Sequence, residues 1–118
     1  GGVIVNTASL AAQFPLKEDP AYSATKSGVA MFTRACASLA DENIRVNAIS
    51  AGPVKTLAAA GIGGFSSILG VVREKAPLRR AIETSEVGDA AAFLLGHAGR
   101  GITGEVMMVD AGYHAMGI

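Results

Sequence analysis

The 118-residue sequence predicts an α/β fold built on a parallel sheet, and three observations carry that prediction. A β-branched run, Val3-Ile4-Val5, is followed by a capped amphipathic stretch and then by a second run, Ile44 to Ile49, so the pattern reads strand, helix, strand. A glycine and proline turn, Gly52-Pro53, closes the unit. The composition is 50% hydrophobic, 17% charged and only 5% aromatic, with 15 glycines, the make-up of a tightly packed soluble chain and not of a disordered one. A strand-helix-strand unit implies parallel strands joined by a right-handed crossover, with ligands collecting at the carboxyl ends of the strands.

Each element has its own local reason. Val3 to Val5 gives way at once to polar Asn6, Thr7 and Ser9, the pattern of a strand ending in a functional loop. Glu18-Asp19-Pro20 opens a helix, with Asp19 as N-cap and Pro20 at the first helical position, where a missing N–H costs nothing. The helix is expected to reach about Leu39 or Ala40. Ala24, Gly28, Met31, Ala35 and Leu39 form one apolar face, and Val29, Phe32 and Cys36 extend a second. Two such faces call for two partners, the sheet and the same helix of another copy, so the 20–40 helix and the last strand are the expected contacts of a homo-oligomer. Residues 57–76, with Gly61, Gly63 and Gly64, read as a mobile helical lid. Glu86 to Leu95 reads as a further helix and Glu105 to Val109 as the last strand.

Ten basic and ten acidic residues cancel, which argues against nucleic acid or an acidic membrane surface as partner and for a small-molecule or carrier-borne substrate. Cys36 is the only cysteine and lies in an apolar stretch, so it reads as a packed thiol in a reducing compartment. No apolar run reaches spanning length and no signal-peptide pattern is present, which makes the cytoplasm the expected location. One domain, 1–118, is expected. Gly99-Arg100-Gly101-Ile102-Thr103-Gly104 matches G-x-G-x-x-G in letters, but it follows a helix and precedes a strand, the reverse of a phosphate-binding turn. Gly61-Ile62-Gly63-Gly64 follows no strand either. His97 and His114 have no metal-ligand spacing and read as surface or helix-end residues, so no metal site is expected.

Tyr22 and Lys26 lie four apart near a helix N-terminus and therefore share a face. A tyrosine is a poor proton donor or acceptor at neutral pH, but a neighbouring ammonium and the positive end of a helix dipole both favour its phenolate. Ser9, at the tip of the preceding strand, adds a hydroxyl that can steady a carbonyl oxygen. On spacing alone an ordinary helical tyrosine and a solvated lysine account for the same letters.

The series Ser9, Tyr22, Lys26, together with VIVNTASLAA and RVNAISAGPVKT, resembles the short-chain dehydrogenase/reductase family over essentially the whole chain. The resemblance implies a Rossmann-type parallel, doubly wound sheet, of which about three strands with flanking helices are represented here, and a nicotinamide-dependent oxidoreductase. It implies that Tyr22 is the acid/base, that Lys26 binds the nicotinamide ribose and favours the phenolate, and that Ser9 positions the substrate oxygen. It implies too that Val54 backbone and the Thr56 hydroxyl hold the carboxamide of NAD or NADP beyond Gly52 and Pro53.

Residues 44–118, with RVNAISAGPVKTLAAAGIGGF, APLRR, VGDAAAFLL and GITGEVMMVDAGY, are more narrowly similar to bacterial enoyl-acyl-carrier-protein reductases, which favours NADH and an enoyl thioester of fatty-acid type. That subfamily usually has its lysine seven residues after the catalytic tyrosine and another tyrosine ten before it, where this sequence has Val29 and Ala12. The tail thus implies reduction of a carbon-carbon double bond and the triad implies a carbonyl or alcohol. The family's cofactor-binding half, with its glycine-rich first turn, has no counterpart in the 118 residues, so the chain is expected to be the C-terminal, catalytic and substrate-side half, inactive alone and with an unpaired edge at its first strand. The alternative expectation is a non-catalytic assembly module.

Overall fold

In the computed structural model, the described residues are 1–13, 19–56 and 64–116. Strand β1 (Gly2–Ser9) leads through a short 3-10 turn (Leu10–Ala12) towards helix α1 (Pro20–Ala35), and a second 3-10 stretch (Cys36–Glu42) leads into β2 (Ile44–Ala51). Helices α2 (Phe65–Lys75) and α3 (Thr84–Leu95) follow, then β3 (Val106–Val109) and a last 3-10 turn (Tyr113–Met116). The strands form one sheet in the order β1-β2-β3 with both pairings parallel, as the strand-helix-strand pattern requires.

Helix α1 begins where the sequence places its start. Pro20 occupies the first turn and Asp19 Oδ1 accepts the Tyr22 N–H at 3.0 Å. Its end differs from expectation. Regular α geometry stops at Ala35, and the chain tightens into the 3-10 stretch that closes at Asn43 in the left-handed region, φ 58, a conformation asparagine tolerates better than most residues. The buried face also differs from the two apolar faces counted in the sequence. Ala30 and Thr33 point inward, whereas Met31 and Phe32 are exposed. A hydroxyl can occupy that inner position because Thr33 Oγ1 donates to Val29 O at 2.8 Å and accepts from Asn6 Nδ2 at 3.1 Å, leaving no unmet polar group against β1.

Two apolar clusters sandwich the sheet. Ala8, Ala48 and Val106, one from each strand, meet Ala30 of α1 on one face. On the other, Val72, Ala76, Ile82 and Ala111 pack with Ala51, Val54, Val87 and Val109. Alternation along the strands separates the two sets: Ala48 and Ala51 in β2, like Val106 and Val109 in β3, are three apart and face opposite ways.

The amino end of the sheet is closed by polar side chains that the sequence pattern does not announce. Asn47 is fully buried, with Nδ2 donating to Ile102 O at 2.9 Å and Oδ1 accepting the Glu105 N–H at 3.0 Å. Arg45 donates to Leu94 O at 2.7 Å and to Ile102 O at 3.0 Å, and Thr103 Oγ1 accepts the Val46 N–H at 3.1 Å. The Gly99–Gly104 segment therefore serves as a clasp between α3 and β3, in keeping with its reversed order of elements. Removing the buried amide would strand the Glu105 N–H and take one of two donors from the Ile102 carbonyl, so Asn47→Ala is expected to lower unfolding stability by about 2 kcal/mol, read from urea denaturation.

Arg80 and Glu86 form a two-pronged pair at 2.8 and 2.7 Å, and Glu86 Oε2 also accepts the Glu83 N–H at 2.7 Å at the start of α3. The hydrogen bond from Arg80, then that from the Glu83 backbone, brings the Glu86 carboxyl down to about 2. A carboxyl depressed in the folded state stabilises it above the unfolded value, and this contribution is lost as pH falls towards the folded value. Glu86→Gln is thus expected to lower the urea midpoint near neutral pH, with the gap to wild type closing as pH falls from 4.5 towards about 2. The pair is solvent-facing, so the gap should also shrink in high salt.

Candidate active site

The parallel register brings the candidate residues to one edge. Ser9 pairs with Ala51 and Ala51 with Val109, so the last residues of all three strands form a row at the carboxyl end of the sheet. Ligands collect at this edge in open α/β sheets. Ser9 ends β1 and caps the turn that follows, its Oγ accepting the Ala11 N–H at 3.2 Å.

Tyr22 is the third residue of α1 and 41% exposed. Its backbone is fixed by the Asp19 cap described above, and its ring lies 5.7 Å from the Lys26 ammonium, a separation at which the ring and the cation attract. The ammonium itself is anchored: Lys26 Nζ donates to the Thr7 carbonyl at 2.8 Å. A second tie, from Ser27 Oγ to Ala12 O at 3.0 Å, holds the same side of α1 to the turn after Ser9. Lysine has three N–H donors, so one points at β1 and two remain for a ligand beside the tyrosine.

The structure brings Tyr22 and Lys26 together and moors the lysine to the end of β1. No hydrogen bond joins Ser9 Oγ to the Tyr22 hydroxyl; among the described contacts the serine meets Ala11. On the neighbouring strand, Gly52 is buried and its N–H donates to Val109 O at 2.9 Å. A Cβ at Gly52 would lie 3.0 Å from Asp110 Cβ and 3.1 Å from its Cα, so this glycine is required by close approach of the next strand's end. Pro53 and Val54 are half-buried and Thr56 is exposed; Val54 packs in the second apolar cluster, against the same group as α2.

Two contributors escape the sequence reading. Thr7 acts through its main-chain carbonyl, which has no side-chain signature. Asp110 is buried at the foot of Gly52 and accepts the N–H groups of Gly112 and His114, each at 3.0 Å, and His114 Nδ1 at 2.9 Å; an acid between a strand and a glycine is the signal that could have marked it. His114 thus has a definite partner at its helix end. The expected lid is in part a fixed wall, since α2 buries Leu69 and Val72, with Ala76 just beyond it; residues 57–63 of that expectation lie outside the described residues. The positions at which the subfamily places its further tyrosine and its lysine, Ala12 and Val29, are both packed against the first apolar cluster.

A family model described as Enoyl-(Acyl carrier protein) reductase matches residues 1–114. The chain is 44% identical over 117 residues to the enoyl-[acyl-carrier-protein] reductase [NADPH] of Staphylococcus aureus, covering 98% of this chain and 46% of that protein. It is 59% identical over 78 residues to the enoyl-[acyl-carrier-protein] reductase [NADH] of Bacillus subtilis, 66% of this chain and 30% of that protein. Among solved structures, the Bacillus cereus enoyl-acyl carrier protein reductase in complex with NADP+ and indole naphthyridinone superposes with a TM-score of 0.93 at 42% identity, over 100% of this chain and 46% of that one. The chain spans about half the length of the curated relatives it matches. Its three parallel strands and flanking helices correspond to part of their Rossmann fold, and the chain belongs to the enoyl-acyl-carrier-protein reductase family within the short-chain dehydrogenase/reductases.

Proposed function

We propose that these residues form the nicotinamide-side and substrate-side part of an NAD(P)-dependent oxidoreductase that reduces an enoyl thioester borne on an acyl carrier. The observation that carries this reading is the Lys26 ammonium, held by Thr7 O at 2.8 Å and 5.7 Å from the Tyr22 ring. The donor set fits the nicotinamide end of the cofactor: two free N–H groups on Lys26 suit ribose hydroxyls, and the backbone beyond Gly52 and Pro53, with Val54 and Thr56, suits the carboxamide. The cofactor, when bound, supplies the hydride. Tyr22 hands a proton to the substrate oxygen or its enolate, Lys26 favours the phenolate that remains, and Ser9 steadies the substrate oxygen from the tip of β1. The Gly99–Gly104 clasp is not a pyrophosphate turn, and we assign that role, with the choice between NADH and NADPH, to residues beyond these 118. Relatives of both cofactor types support either.

In a full-length reconstruction, Tyr22→Phe is expected to cut kcat by about 100-fold or more with enoyl thioester as substrate. An unimpaired Tyr22→Phe would refute the proton-donor assignment. Faster turnover of ketoacyl than of enoyl thioester would replace the substrate by a carbonyl compound.

A second reading, a non-catalytic assembly module, is favoured by one observation: Met31 and Phe32 on α1 are 62% and 63% exposed, an apolar patch of the kind that marks contact surfaces. We infer that this face packs on a second copy. Phe32→Asp is expected to shift the 118-residue chain to a smaller species in light scattering, and an unchanged mass would remove this face as the contact. Calorimetry of the chain with NADH and NADPH separates the readings, since tight binding would sink the assembly-only view.

A further inference from the structure

The turn after β3 touches both walls of the site. Ala111 and Gly112 are both left-handed, φ 58 and φ 86, and an alanine there is strained. Ala111 is nevertheless buried among Val72, Ala76 and Ile82, and its carbonyl accepts the Leu78 N–H at 3.2 Å, so the turn is bound to the end of α2. Gly112 lies so close to Pro77 that a Cβ would sit 2.9 Å from the proline ring. On its other side the turn begins at Asp110, whose backbone and Cβ underlie Gly52.

One carboxylate holds these pieces in place. Asp110 is 4% exposed, and its oxygens collect the Gly112 and His114 N–H groups and His114 Nδ1, all between 2.9 and 3.0 Å. Two of those donors are backbone groups that the left-handed pair turns towards the same point, so the carboxylate stabilises the strained geometry directly. His114 closes the remaining side from one turn further along.

We propose that Asp110 is a positioning residue: clamped by His114, it fixes the turn that sets the Gly52–Thr56 loop against the end of α2, so that loop and helix move as one unit. Reading Gly52–Thr56 as the loop that takes the nicotinamide carboxamide rests on the function proposed above; the mechanical coupling through Asp110 does not. A ligand ordering the loop would thereby order α2, and a change at Asp110 would loosen both while sparing the β1-β2 ladder.

Amide hydrogen exchange, resolved by residue in the full chain, tests this. In Asp110→Asn, the amides of Gly52, bonded to Val109 O, and of Leu78, bonded to Ala111 O, are expected to exchange about tenfold faster or more, with the β1-β2 amides unchanged. Unchanged exchange at Gly52 and Leu78, or equal acceleration throughout the sheet, would overturn the proposal. His114→Ala keeps the carboxylate and both backbone donors, and so covers the case in which Asp110→Asn does not fold. It should give the same selective pattern to a lesser degree, and its absence there overturns the coupling as well. Binding of NADH and NADPH to the full-length wild type is measured separately: failure to bind would remove the carboxamide assignment, while the exchange pattern would still decide the role of Asp110.

Discussion

Because β2 is paired in parallel on both sides, its register fixes two ends of the molecule at once. At the carboxyl end it lines up Ser9, Ala51 and Val109, so that the tip of β1, the Gly52 turn and Asp110 become neighbours. At the amino end it sets Arg45 and Asn47 against the carbonyls of Leu94 and Ile102 and the Glu105 N–H. A slip of one residue would turn Asn47 into the apolar layer and leave Ala48 facing the Ile102 carbonyl and the Glu105 N–H that the amide now satisfies. Unmet buried polar groups make that arrangement costly, and the register is therefore specified by polar groups at one end as firmly as by packing at the other.

Helix α1 carries this register to the candidate site. Its middle is held inward by Ala30 and by the Asn6–Thr33 hydrogen bond, and its first turn is fixed by Asp19. Between these anchors Lys26 spans to Thr7, one strand residue beyond Asn6, so the ammonium has little freedom relative to the end of β1. Holding a long cationic side chain in place before a ligand arrives removes an entropic cost from binding and from any proton transfer beside it. The price is paid on the outer side of the helix, where Met31 and Phe32 are left in solvent.

Much of this was legible in the letters. The β-branched runs, the Asp19-Pro20 helix start and the Gly52-Pro53 turn were readable because each rests on local chemistry. The Tyr22 and Lys26 face was readable because helical spacing is regular. What could not be read depends on partners remote in the chain. Thr33 scores as polar, yet it is buried because Asn6 and the Val29 carbonyl satisfy it. Counting apolar letters did not single out the face that meets β1, which is that of Ala30 and Thr33. Alanine and glycine in residues 57–76 suggested a lid, but Val72 and Ala76 join a cluster that also takes in Ala51 and Val109 at the ends of β2 and β3.

The position of the lysine bears on the proton transfer proposed for this site. A lysine four residues after the tyrosine stands about 6 Å along the helix, and one seven residues after stands about 10 Å along, on nearly the same side. The two spacings therefore differ by roughly a turn of depth and not by direction. In this chain the deeper position is Val29, which packs against Ala8, Ala30, Ala48 and Val106, and the position ten before the tyrosine is Ala12, packed on the same group. An ammonium at Val29 would have to be desolvated against that cluster, whereas at Lys26 it meets the Thr7 carbonyl and keeps two donors free. The core beneath the helix thus leaves the shallower turn as the place for the cation, beside the exposed ring of Tyr22, and on the proposed function the oxygen to be protonated approaches that first turn of α1.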